Sequence, residues 1–364
     1  MSHPIVLTGA TGSLGGHLAH ALLAGTDATL YCLVRAPTDQ AAGQRLRTHL
    51  RRMGPLGSGE RLVAVAADIR EPRLGLSARR YAELAEQTRE VHHCAAHVHM
   101  KAPYRELAPA NVGGTRHLLD FTHEAIERQG TAVAFHHVSS ASVFMWARNT
   151  GLAAVDERTE PTMETAGPLG YTRSKVAAER EVRAAGSHGV PTAVYRPAMV
   201  VDCCPVATVS SSDILAPLVR AIAALGLAPA GAGPFPLETA EEVARQIVAL
   251  SRPGGAPHRV RHLFRREPVP LKAVVAALRG TGTTVAEVPV EDWLDALAKN
   301  PDEPDTLPLR GVGEVGNWLL GAGTDRRAPA MHSEATWREL GRTGYRAAPL
   351  DDAYLERYAR SITT

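Results

Sequence analysis

The N-terminal half of the chain alternates short apolar runs with longer amphipathic ones at a regular pitch. Residues 4–8 (PIVLT) read as a buried strand, 9–16 as a glycine turn and 17–24 as an apolar helix. The pattern then repeats. Strands are predicted over 28–34, 62–66, 90–95, 132–138 and 192–195, and helices over 41–52, 81–88, 111–128 and 171–185. Strands separated by helices of this length imply βαβ crossovers and a parallel sheet. The expected fold class is therefore α/β, a Rossmann-type doubly wound parallel sheet.

After Met199 the rhythm changes. Residues 201–235 carry Pro, Gly, Ser and Ala around one helical stretch at 213–225, which reads as a mobile cover over the site or as lobe core, the surrounding Pro, Gly and Ser favouring the cover. A helix at 238–250 and a last strand at 258–264 return to the first pattern, and helices dominate from 267 onward. The expected division is a nucleotide domain over 1–200 with a returning segment at about 236–265, and a smaller, mostly helical C-terminal lobe made of 201–235 and 266–364.

The nucleotide assignment rests on Thr8-Gly9-Ala10-Thr11-Gly12-Ser13-Leu14-Gly15, which follows a strand and opens a helix. Gly9 permits a tight turn, Gly12 lets backbone approach a pyrophosphate, and Gly15 lets the helix pack close to the sheet. The helix start offers N–H groups and a positive dipole end to phosphates. The second strand ends in Leu33-Val34-Arg35, where an NAD site would place a carboxylate for the ribose. Arg35, with Arg45 one helix further on, suits a 2′-phosphate, so the expected cofactor is NADPH. Asp68 and Ile69 follow the third strand and are expected at the adenine edge.

Tyr171 and Lys175 stand four apart on a predicted helix and share a face. The fifth strand ends at Ser139-Ser140. A phenol can protonate a forming alkoxide, an ammonium can lower the phenol's pKa and hold the nicotinamide ribose, and a hydroxyl can hold a carbonyl. Tyr171, Lys175 and Ser140 supply these groups, with Ser139 the alternative hydroxyl. Lysine occurs only at 101, 175, 272 and 299, so Lys175 is not one of many.

Composition narrows the classes. A net charge of +2 without a basic run gives no nucleic-acid signature. No apolar run is long enough to span a bilayer, and the chain enters its first strand at once, so a cytoplasmic protein with reduced cysteines is expected. Cys32 and Cys94 read as strand core, and Cys203-Cys204 lacks zinc spacing. His92, His93, His97 and His99 alternate faces around Cys94, so no metal centre is expected.

Together these residues resemble the extended short-chain dehydrogenase/reductase superfamily, and more closely its thioester reductase family: terminal reductase domains of nonribosomal peptide synthetases and of carboxylic acid reductases. The resemblance runs through TGATGSLGGHL (8–18), CLVRA (32–36), ADIREPRLGLS (67–77), HCAAHVH (93–99), APYRELAPANVGGTRHLL (102–119), GYTRSKVAAE (170–179), GVPTAVYRPAMV (189–200) and PLDDAYLERYARSI (349–362). It implies that Gly9, Thr11, Gly12, Ser13, Leu14 and Gly15 line the pyrophosphate. Ala95, Ala96, Val98 and Ser139 would lie along the cofactor, and Pro197 by the nicotinamide. Ser140, Tyr171 and Lys175 would be the catalytic set. The family commonly has Thr at Ser140, Asn at His99 and Gly at Ala198; the second departure bears on the substrate rather than the cofactor.

The implied reaction is NADPH-dependent reductive release of an acyl or peptidyl thioester from a phosphopantetheine carrier protein as an aldehyde. An onward step to the alcohol stays open, and a monomer is expected. The acidic carrier would meet arginines of the lobe (Arg252, Arg259, Arg261, Arg265, Arg266), or these form a plain solvated face. Two other classes stay open. One is an extended reductase or epimerase acting on a free carbonyl compound or a nucleotide sugar. The other is a non-catalytic NADP-binding sensor.

Overall fold

The computed structural model describes residues 4–57, 59–203, 213, 215–251, 258–300 and 329–363. Seven parallel strands form its main sheet: β1 (Ile5–Thr8), β2 (Leu30–Val34), β3 (Leu62–Ala66), β4 (Glu90–His93), β5 (Ala134–Val138), β7 (Thr192–Pro197) and β11 (His258–Leu263). Their order is β3-β2-β1-β4-β5-β7-β11. The winding direction therefore reverses between β1 and β4, where Thr8 is in register with His93. In such sheets ligands bind at the carboxyl ends of the strands beside that reversal.

Helices cover both faces. On one, α1 (Ser13–Gly25), α2 (Asp39–Met53) and α9 (Ala240–Leu250) bury Leu18, Leu22, Leu46, Leu50, Val243 and Ile247 against Ile5, Leu7 and Leu30. On the other, α3 (Ala78–Gln87), α5 (Gly114–Gln129) and α7 (Gly170–Ser187) bury Leu84, Leu118, Phe121 and Val182 against Val6, Val91 and Phe135. Helix starts follow local chemistry. The hydroxyls of Thr38, Ser77 and Thr239 accept from Ala41, Arg80 and Glu242 backbone N–H groups, so α2, α3 and α9 begin there.

Most boundaries shift by one to three residues, and two differ more. The glycine turn is shorter than 9–16, because α1 already begins at Ser13. The helix expected from 111 begins at Tyr104, as α4 (Tyr104–Ala108), and reaches α5 through a π turn at Pro109–Gly113. Pro109 keeps helical angles (φ −58°, ψ −40°) although it has no N–H to donate, and the wider turn accommodates it.

A second core belongs to the lobe. It is built from α8 (Leu215–Leu225), α10 (Leu271–Gly280), α11 (Val290–Lys299) and the closing helix α13 (Asp352–Thr363), with α12 (Glu334–Arg342) against the sheet. Short parallel pairs stitch the connections: β8 (Met199–Val201) with β10 (Leu237–Thr239), β9 (Leu227–Pro229) with β12 (Ala286–Val288), and β6 (Ala154–Val155) with β13 (Ala330–Met331). A one-turn helix, α6 (Met163–Ala166), precedes α7. Of the two readings of the 213–225 helix, the packing shows the lobe core: Leu215, Ala216, Leu218, Val219, Ala221 and Ile222 of α8 are all buried in it.

Candidate functional site

A cavity of about 780 Å³ opens at the carboxyl ends of β1, β2, β4, β5 and β7. Every catalytic and cofactor-binding residue expected from the sequence borders it, from Gly9, Thr11, Gly12, Ser13, Leu14 and Gly15 at its floor to Arg35, Arg45, Asp68 and Ile69 at one end. Ala95, Ala96, Val98, Ser139, Ser140, Tyr171, Lys175 and Pro197 complete the wall.

The floor is set by close backbone contact. Gly9 has φ +81°, and a Cβ there would lie 2.7 Å from the Ala95 nitrogen. A Cβ on Gly15 would lie 2.1 Å from the Gly9 carbonyl oxygen. No side chain caps α1 at Gly12, and its first turn holds no acidic residue. Such a bare helix start beside a glycine turn fits a dinucleotide's pyrophosphate. The Thr8 hydroxyl accepts from Ala95 N–H (3.1 Å) and bonds His93 Nδ1 (2.9 Å), whose Nε2 meets the Thr115 hydroxyl (3.0 Å). Burial first, then the Lys175 charge, pushes His93 down to about 3, so it is a neutral bridge locking β4 against β1.

At the β2 end, Arg35 is exposed and Arg45 donates to its carbonyl at 2.9 Å. A third arginine escapes a reading of the sequence: Arg70 borders the cavity and chelates Asp68, with Nη2–Oδ2 2.6 Å. Its hydrogen bonds to Asp68, aided by the Arg35 charge, hold that carboxyl below the usual range despite the opposing effect of burial. Arg70 stands two residues after Asp68 in sequence, but only the turn brings it to the cavity wall that Arg35 also borders.

At the other end lie the groups with chemical potential. Lys175 Nζ donates to the Val138 carbonyl at 2.9 Å. Burial pulls its pKa down to about 8. Tyr171 is buried too, which pushes its phenol up to about 12 although a hydrogen bond with the Ser140 hydroxyl acts the other way. Burial is thus the dominant influence on the phenol, opposed by Ser140, and the lowering expected from the Lys175 ammonium is not seen. Ser140 Oγ also meets Ser142 Oγ at 2.8 Å and accepts from Ser142 N–H at 3.1 Å. Ser139 borders the cavity, but its hydroxyl donates to Glu179 Oε1 at 2.5 Å. The geometry therefore selects Ser140 over Ser139 as the hydroxyl facing Tyr171.

Two carboxylates of this wall were not anticipated. Asp202 accepts from Ser13 Oγ (2.5 Å) and meets His17 Nε2 (3.2 Å), tying the glycine loop to the segment leaving β8. Asp213 accepts from the Tyr358 hydroxyl (2.8 Å) and from Leu215 and Ala216 N–H, and burial raises its pKa to about 6. Nothing near 202 or 213 in sequence announces partners at 13 and 358.

The arginines suggested for docking do not share one lobe face, since Arg259 and Arg261 lie on β11 of the main sheet. Arg259 and Arg261 both pair with Glu339, and Arg265 pairs with buried Glu238 at 3.1 Å. Arg266 lies 5.3 Å from the Trp337 ring centre, and Arg252 falls outside the described residues, as does Cys204. Among the described residues, the histidine and carboxylate groups that converge are Glu90, His92 and His136 rather than the set around Cys94. The rings of His92 and His136 stack at 4.3 Å and 17°. An ion in the plane of one ring would leave the plane of the other, so this trio reads as a packed pair over a carboxylate.

The chain is similar to parts of two large synthases. It is 29% identical over 351 residues to a linear gramicidin synthase polypeptide of Brevibacillus parabrevis, covering 95% of this chain and 7% of that one. It is 32% identical over 296 residues to isonitrile lipopeptide synthase of Streptomyces coeruleorubidus, covering 79% and 19%. The chain thus spans less than a fifth of these relatives. Its fold matches the crystal structure of the terminal R domain from the myxalamid PKS-NRPS biosynthetic pathway, with a TM-score of 0.86, 27% identity and coverage of 99% and 90%. Among the described residues no helix is long and apolar enough to cross a membrane. Residues 7–247 match the NAD-binding family described as male sterility protein, in agreement with the glycine cradle at the start of α1, and the chain belongs to that family of oxidoreductases, within the extended short-chain dehydrogenase/reductase superfamily.

Proposed function

We propose that the protein is an NADPH-dependent reductase that releases an acyl or peptidyl group from the phosphopantetheine arm of a carrier protein, as an aldehyde, in natural-product biosynthesis. The observation that carries this reading is the meeting of Ser140, Tyr171 and Lys175 at one end of a cavity whose other end holds Arg35, Arg45 and Arg70. The likeness to synthetase reductase domains supports the thioester, and the three arginines support a 2′-phosphate over a bare ribose.

Gly9 to Gly15 would hold the pyrophosphate on the start of α1, and Asp68 and Ile69 would flank the adenine. Ala95, Ala96, Val98 and Pro197 would border the nicotinamide half. When bound, the cofactor supplies one hydride to the thioester carbon. Ser140 then holds the developing oxyanion and Tyr171 delivers its phenolic proton to that oxygen, giving a hemithioacetal. Lys175, charged below about pH 8, stabilises the transient phenolate left on Tyr171. Collapse breaks the C–S bond; the hydroxyl proton leaves as the carbonyl forms, and the thiolate of the arm takes up a proton. The products are an aldehyde and the free thiol, with one proton consumed from solvent overall.

The test is NADPH oxidation by the purified protein with an acyl-phosphopantetheinyl carrier protein, with Tyr171→Phe as control. Oxidation with aldehyde or alcohol release, lost in the control, is the expected result. Turnover of a free ketone or a sugar nucleotide, with none on a thioester panel, would overturn the thioester assignment.

A further inference from the structure

We propose that Glu179, gripped by Arg196, is the positioning residue of the Ser140–Tyr171–Lys175 centre and the charge that keeps Lys175 protonated. This rests on the reductase reading above. Tyr171, Lys175 and Glu179 follow one another at four-residue intervals on one face of α7. They engage three consecutive residues at the end of β5: Tyr171 meets Ser140, Lys175 meets the Val138 carbonyl, and Glu179 meets the Ser139 hydroxyl. The helix bearing the phenol and ammonium is thus fastened to the strand bearing the catalytic hydroxyl at every turn.

Glu179 is also tied to the third element of the site. Arg196 donates Nη2 to its Oε2 at 2.7 Å and Nε to its Oε1 at 3.0 Å. That arginine immediately precedes Pro197 at the end of β7. It is fully buried, donates Nη1 to the Thr159 carbonyl at 3.2 Å and sits 5.0 Å from the Phe144 ring centre. A forked guanidinium–carboxylate pair enclosed on all sides has one available geometry, so α7, β5 and β7 are held in one register. Ser139, expected along the cofactor, acts here as the link to β5.

The surroundings of Lys175 show where its charge finds support. From β4 and the residue after it come His93 and Cys94, from β5 His137, and from α7 Tyr171 and Glu179. Burial holds both histidines neutral and pushes the Cys94 thiol up to about 12. Tyr171 is likewise protonated at neutral pH. Two groups act against the desolvation that favours the free amine, Cys94 first and Glu179 second; the Cys94 thiol stays neutral while Lys175 titrates, which leaves the Glu179 carboxylate as the negative charge among these described groups.

The experiment uses the scarcity of lysine: with only Lys101, Lys175, Lys272 and Lys299 present, [ε-13C]lysine labelling gives few resonances, and Lys175→Arg assigns one of them. Glu179→Gln is expected to lower the Lys175 titration midpoint by about one pH unit and to carry the alkaline limb of kcat with it. Arg196→Lys keeps the Glu179 charge but loses the fork; its midpoint is expected near wild type while kcat falls about tenfold. An unmoved midpoint in folded Glu179→Gln overturns the proposal. If that variant does not fold, Ser139→Ala decides: kcat about tenfold lower at unchanged NADPH affinity supports the positioning role, and unchanged kcat overturns it. A wild-type protein with the expected Lys175 behaviour and no activity on any thioester overturns the function proposed above, not this charge assignment.

Discussion

The ammonium of Lys175 lies 2.9 Å from the carbonyl of Val138, two residues before Ser140. A backbone carbonyl at a strand end cannot swing away, so the lysine's position relative to Ser140 is fixed by the sheet itself. This rigidity suits the proposed proton transfer, since misplacement of a reacting group by an ångström costs about a hundredfold in rate.

Removing the proposed acid isolates the proton step. Tyr171→Phe is expected to lower kcat by about 10²–10⁴ with little change in NADPH affinity. Ser140→Ala is expected to cost about 10²–10³ by removing a donor to the oxyanion. Single-turnover absorbance at the nicotinamide band, beside a fluorescence titration of NADPH, separates the two quantities. A Tyr171→Phe protein with wild-type kcat would remove Tyr171 from the mechanism.

Activity should fall as pH rises through about 8. Burial depresses the Lys175 pKa to about that value, so the ammonium is present below it and lost above it. The alkaline limb of kcat/KM against pH, which reports the free enzyme, is expected near 8. A limb near the ordinary lysine value of 10.5 would mean that Lys175 is far better solvated than its surroundings indicate.

Cofactor choice should reside in the arginines. Arg35→Ala is expected to weaken NADPH by about 1.5–3 kcal/mol, the size of a charge-assisted hydrogen bond, and to leave NADH nearly unchanged. Arg70→Ala is expected to act in the same direction and, in addition, to release the Asp68 carboxyl that it chelates. Isothermal titration with both cofactors checks this; equal losses for NADPH and NADH would place these side chains away from the 2′-phosphate.

Stability should decline on acidification below about pH 6.5. Burial drives His93 and His136 down to about 3 and His262 to about 4, and His137 well below its ordinary value. Folded chains keep them neutral while unfolded chains protonate them, so each contributes a loss of roughly 1 kcal/mol per pH unit below 6.5. Asp213 and Glu238, raised by burial to about 6 and about 7, act oppositely, since the folded chain takes up their protons first. Four histidines outweigh two carboxyls, and Tm is expected to fall from pH 7 to pH 5. A His136→Phe variant should flatten that slope; an unchanged slope would mean that His136 is already charged in the native state.

Much of this was legible because it is local. The glycine turn sits between a strand and a helix in sequence as in space, and Tyr171 and Lys175 share a face by helical spacing alone. What escaped depends on distant partners. Glu179 repeats the same spacing but looks like any helix-surface acid until Arg196 is folded against it. Arg259, Arg261 and Arg265 look solvated because Glu339 and Glu238 reach them through tertiary structure. The choice between Ser139 and Ser140 turns on which side of the strand end each faces, and two adjacent serines carry no mark of that.

The outermost strand, β11, pairs along its whole length with β7, from His258–Thr192 to Leu263–Pro197, yet it is made after the chain has already built α8 of the lobe. A fragment ending near residue 200 would therefore keep the glycine loop and the reactive side chains but present β7 as a bare row of peptide groups. Such an edge recruits other chains. Anyone trimming this protein to a minimal catalyst should expect sticky, self-associating material from that cut, and a workable smaller version would have to carry residues 258–263 with it or graft a capping strand in their place.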